Sequence, residues 1–94
     1  MIDVKTAVAR ALKYVQDLFG PDMVSDPRLE EVELTDDNFW VVTLSYFTEK
    51  SPEPPSLVNV LRPPSREYRV VRLRADTGEV RSVKLWDRHA GIRP

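Results

Sequence analysis

Phe39-Trp40-Val41-Val42-Thr43-Leu44-Ser45-Tyr46-Phe47 is the stretch on which the fold turns. Its β-branched and aromatic residues suit a pleated, packed surface, so it reads as a strand. Alternation puts Trp40, Val42, Leu44 and Tyr46 on a strongly apolar side. Phe39, Val41, Thr43, Ser45 and Phe47 form a second side that is only partly polar. Immediately upstream, Thr35-Asp36-Asp37-Asn38 predicts a hairpin turn, because Asx side chains bond nearby backbone and tolerate unusual dihedrals. Before the turn, Leu29-Glu30-Glu31-Val32-Glu33-Leu34 alternates apolar and acidic residues, as a strand with one wet face does.

Further toward the N-terminus, past a polar turn over residues 22–27, lies a helical period. Val4, Val8, Ala11, Leu12, Val15, Leu18 and Phe19 trace one stripe, with Lys5, Arg10, Lys13 and Asp17 opposite. Asp3 is placed to cap the helix, and Gly20-Pro21 to end it. In the other direction, residues 48–65 hold five prolines around an apolar island, Leu57-Val58-Asn59-Val60-Leu61. Connections that long inside a small domain tend to be functional or mobile. Residues 66–75 and 79–86 then form two strands around Asp76-Thr77-Gly78, with glycine at the positive-φ position of a bulged turn.

The expected fold is therefore α+β: one N-terminal helix packed on a four-stranded antiparallel meander sheet, with a long Pro-rich loop between strands 2 and 3. Residues 1–86 make one domain, and 87–94, which lack periodicity, a flexible C-terminal tail. Core candidates are the helix stripe with Leu29, Val32, Leu34, Trp40, Val42, Leu44, Tyr46, Val71, Leu73, Val83 and Leu85.

Tyr68 to Val83, in which a strand ends in Asp76-Thr77-Gly78-Glu79-Val80 and returns, resembles the closing hairpin of PepSY-type domains. The Ala7, Ala9, Ala11 helix and the Trp40 strand are similar to that layout, and also to small bacterial immunity proteins. The resemblance implies a regulatory or peptidase-inhibitory role, or immunity against a partner.

Composition removes much catalytic chemistry. The 94 residues, 41% apolar and 31% charged, are ordinary for one globular domain. No cysteine is present, which excludes disulfides, thiolate zinc sites and thiol nucleophiles. His89 is the only imidazole and sits in the tail, so it reads as inert. Glu30, Glu31, Glu33, Asp36 and Asp37 do not converge as cation ligands: alternation sends Glu31 and Glu33 to one face and Glu30 to the other. No glycine-rich phosphate loop occurs, and neither a metal nor a cofactor is expected. The longest purely apolar run, Phe39 to Val42, is far shorter than a bilayer span, and residues 1–13 carry Asp3, Lys5, Arg10 and Lys13 where an export signal would be apolar. The expectation is a cytoplasmic, non-enzymatic protein without membrane contact.

Charge is uneven. Residues 1–47 carry a net −5 and residues 48–94 a net +4. Alternation places Phe39, Val41, Tyr68 and Val70 on the sheet face away from the helix, an apolar patch of the kind that marks an interface. With the island Leu57, Val58, Val60 and Leu61, they make the expected contact surface for a protein partner or a second copy. An alternative reading takes Arg72, Arg74, Arg81 and Lys84, interleaved with aromatics, as a grip for single-stranded nucleic acid. A small-ligand or enzymatic pocket ranks third.

Overall fold

The computed structural model describes residues 1–48, 66–87 and 91–92. The island at 57–61 and His89 lie outside them. The order is α1 (Val4–Phe19), a 3-10 turn (Pro21–Met23), β1 (Ser25–Leu34), β2 (Phe39–Phe47), β3 (Arg66–Arg74), β4 (Val80–Asp87) and a two-residue β5 (Gly91–Ile92). Each strand pairs antiparallel with the next, giving the expected meander with one helix on one face. Within the stretch read as a flexible tail, Gly91 and Ile92 pair with Asp87 and Trp86.

The punctuation residues act as their chemistry requires. Asp3 accepts a hydrogen bond from the Thr6 amide at 2.8 Å, and Gly20, at φ 92°, ends α1 with its N–H on the Gln16 carbonyl. Gly78 takes φ 77° in the β3–β4 turn. Asn38, at φ 66°, closes the β1–β2 turn, where the Thr35 hydroxyl accepts from the Phe39 amide. The chain start is tied down as well: the Trp40 indole donates to the Ile2 carbonyl at 3.1 Å, and the Ile2 amide donates to the Ala75 carbonyl at 2.8 Å.

Two sequence expectations fail at β1. It begins at Ser25, inside the stretch read as a turn, despite Pro27. An edge strand tolerates proline because one row of its N–H groups has no partner anyway. The register also shifts between Ser25 and Arg28 and between Leu29 and Glu31. The second shift makes Glu30 an extra residue, so Glu30 and Glu31 both serve the face away from α1. These bulges, the proline and the acidic residues make the β1 edge a poor template for further strands.

The core is narrower than the apolar pattern suggests. Ala7, Ala11 and Val15 of α1 are fully buried against Val42, Leu44, Tyr46, Val71 and Leu73, with Val24 and Ala75 also enclosed. Val32, Trp40, Val80 and Val83 pack on the periphery. Leu29, Leu34 and Leu85, expected in the core, are 48%, 44% and 39% exposed, and Val4, Leu18 and Phe19 of the helix stripe are exposed too. The reason is width: a helix about 10 Å across covers the two central strands of a sheet whose four strands span about 14 Å or more. Leu29, Leu34 and Leu85 on the flanking strands face the right way and meet solvent at the helix margin.

Candidate functional site

On the face away from α1, strand register arranges side chains in rows. Glu31, Thr43, Val70 and Lys84 are successive partners across β1, β2, β3 and β4. Glu33, Val41, Arg72 and Ser82 form the next row. Each row therefore runs from a carboxylate on β1 through an apolar or small centre to polar or cationic groups on β3 and β4. A shallow groove of about 280 Å³ follows this surface, lined by Glu33, Thr35, Val41, Val70, Arg72, Ser82 and Lys84.

Two aromatic residues of this face, Phe39 and Phe47, are covered by arginines. The Arg72 guanidinium lies 4.4 Å from the Phe39 ring centre, and that of Arg66 lies 4.4 Å from the Phe47 ring. Phe39, Val41 and Tyr68 are half-buried, and Val70 is 3% exposed. Val70, expected on the exposed patch, therefore contributes packing more than surface, and the face around Phe39, Val41 and Tyr68 is amphipathic. After Met1, the most exposed large apolar residues lie on α1 and at its margins, at Leu18, Leu29 and Leu34.

Beside the rows, a polar network fixes the start of β1. Ser45, fully buried, donates from Oγ to Glu30 Oε1 at 3.0 Å and accepts from Arg66 Nε at 2.9 Å. Arg66 also reaches the carbonyl of Ser45 and both the carbonyl and the carboxylate of Asp26, which sits at φ 49°. Glu30 and Arg66 are thereby committed to structure.

The cations proposed for nucleic acid divide in the same way. Arg72 pairs with Asp37 at 3.2 Å, Arg74 with Asp76 at 3.1 Å and Arg81 with Glu79 at 2.8 Å. Arg81 is moreover the extra residue where the β3–β4 register shifts. Lys84 makes no ion pair among the described residues, and neither do Glu31 and Glu33. Arginines already neutralised by neighbouring carboxylates, on their own hairpin for Arg74 and Arg81 and in the β1–β2 turn for Arg72, form a weak phosphate track.

Hydrogen bonding from the Thr35 hydroxyl, with help from Arg72, holds the Asp37 carboxyl below the usual carboxylate range. Bonding from Arg74 does the same for Asp76, and bonding from Thr6 for Asp3. A carboxyl whose pKa is lower folded than unfolded stabilises the fold above its unfolded value and stops doing so as pH falls through the folded one. Thermal stability should thus be level near neutrality and decline once pH drops below the usual carboxylate range. A circular-dichroism melting series that instead peaks in acid would contradict these assignments.

The second groove, about 330 Å³ between α1 and the β3–β4 turn, is lined by Arg10, Lys13, Tyr14, Asp17, Gly78, Glu79 and Val80. Lys13 and Asp17 pair with each other along its α1 side at 3.0 Å. Among the described residues no three His, Cys, Asp or Glu side chains are grouped to hold a metal ion, and no helix is long and apolar enough to cross a membrane. No protein-family model, curated protein or solved structure matches the chain.

Proposed function

We propose that this domain works without catalysis, as a protein-binding module whose contact surface is the outer face of the sheet. The row pattern carries this reading: carboxylates along one border, Val41 and Thr43 in the middle, Arg72 and Lys84 toward the other. Protein interfaces share that layout, with an apolar centre ringed by polar groups that set orientation. The groove is shallow and offers its polar groups side by side, which suits adhesion more than the enclosure of a reacting substrate. Inhibition of a bound partner would be one use of such a surface.

Val41→Lys tests the reading. It adds a charge at the centre of the face without touching the helix side, so the circular-dichroism spectrum should be retained while protein association weakens by more than about tenfold. Lys5→Glu, on exposed helix surface, serves as the control and should leave association unchanged. Association that survives Val41→Lys would overturn the proposal. Salt-sensitive oligonucleotide binding abolished by Lys84→Glu would replace it with the nucleic-acid reading.

A further inference from the structure

We infer that the partner of the outer face is a second copy of this chain, stacked sheet to sheet about a two-fold axis parallel to the strands. The inference rests on the protein-binding reading above and adds the identity and orientation of the occupant.

The reasoning is geometric. Two copies meeting face to face about a two-fold axis have two simple choices. An axis lying across the strands lays β1 of one copy over β1 of the other, and their carboxylates repel. An axis running along the strands, between β2 and β3, lays β1 over β4 and β2 over β3. Because that rotation leaves positions along the axis unchanged, each row stacks on its own symmetry copy in reverse order. Glu31 then faces Lys84 of the second copy, Glu33 faces Ser82, and Thr43 faces Val70, with every pair formed twice. Stacked sheets lie about 10 Å apart and rotate by about 30° because of their twist, a separation that these side chains span.

Two observations favour a self-complementary partner. Glu31, Glu33 and Lys84 lack ion pairs among the described residues, so the groups this arrangement joins are those left free. The charge asymmetry between the halves of the sequence, net −5 against net +4, is what a complementary second copy needs.

The contact is small. Four strands and two or three rows cover a few hundred Å², below the roughly 800 Å² per partner of standard interfaces, so the dimer should be weak and salt-sensitive. Sedimentation equilibrium over a wide concentration range tests it. Glu31→Lys alone and Lys84→Glu alone should each weaken association by about tenfold or more, because each turns two attractions into two repulsions. The doubly exchanged chain, Glu31→Lys with Lys84→Glu, should recover dimerisation to within about threefold of the original. A chain that stays monomeric at millimolar concentration would overturn self-pairing while leaving the face open to a different protein. A dimer indifferent to Val41→Lys and to both charge reversals would overturn this inference and the binding reading together. Single reversals that weaken the dimer without rescue in the double variant would refute the opposed pairing of Glu31 with Lys84.

Discussion

Ala11→Asp should abolish the folded state. Ala11 is fully enclosed where α1 lies on the sheet, among Val42, Leu44, Val71 and Leu73. The aliphatic side chains of Val42, Leu44, Val71 and Leu73 offer an aspartate no cationic or hydrogen-bonding partner, so the acid must be buried unpaired or taken up as the neutral form at a strongly raised pKa. Either route costs several kcal/mol, and displacing the helix to avoid it forfeits the core. A domain of this size has about 5–14 kcal/mol to lose. Far-ultraviolet circular dichroism at 25 °C should show a largely unfolded chain. A cooperative melt within a few degrees of the original would mean that α1 does not pack by this face.

Leu73→Ala should have the next largest effect. Leu73 is fully buried on β3, paired with Trp40 on one side and Val80 on the other. Truncation removes its apolar transfer energy and leaves a cavity in an interior only one helix and one sheet deep, a loss of about 2–5 kcal/mol. For a domain of this size that lowers the melting temperature by about 10 °C or more. Leu29→Ala is the informative comparison. Both leucines face the helix side, but Leu29 stands at its margin and should cost well under 1 kcal/mol. Urea unfolding of both variants measures the difference. Equal losses would mean that the core extends to β1 after all.

The contrast between these leucines shows what the sequence could and could not say. Alternation along Phe39–Phe47 sorted side chains by face correctly, and Asp3, Gly20, Asn38 and Gly78 marked element ends through local backbone chemistry alone. Width is not local. Nothing in Leu29, Leu34 or Leu85 records that one helix covers only the middle of the sheet, so a period-2 pattern assigned them to the core. Register has the same limit. The bulge at Glu30 depends on pairing with β2, and it moves Glu30 to the face opposite to the one that simple alternation assigns.

The outer face of the sheet was legible in part. Phe39, Val41, Tyr68 and Val70 are placed on one face by alternation, as the structure has them. Their cover was not legible: that Arg72 lies on Phe39 and Arg66 on Phe47 follows from cross-strand neighbours 33 and 19 residues apart in the chain. The Arg72–Asp37 pair joins two hairpins in the same way, whereas Arg74–Asp76 and Arg81–Glu79 are local pairs two residues apart; together they turn an apparent basic track into a mostly neutralised surface. The rows joining Glu31 to Lys84 and Glu33 to Ser82 needed the register of three strand pairs, and no sequence signal short of that register would have shown them.

The most direct test of the claim that the outer face is the contact surface is a concentration series of amide spectra on isotopically labelled protein. Between micromolar and millimolar concentration, the shifts should move for Glu31, Glu33, Val41, Thr43, Arg72, Ser82 and Lys84 and stay fixed along α1. Movement confined to α1 and its exposed margin at Leu18, Leu29 and Leu34, with the rows unchanged, would contradict it.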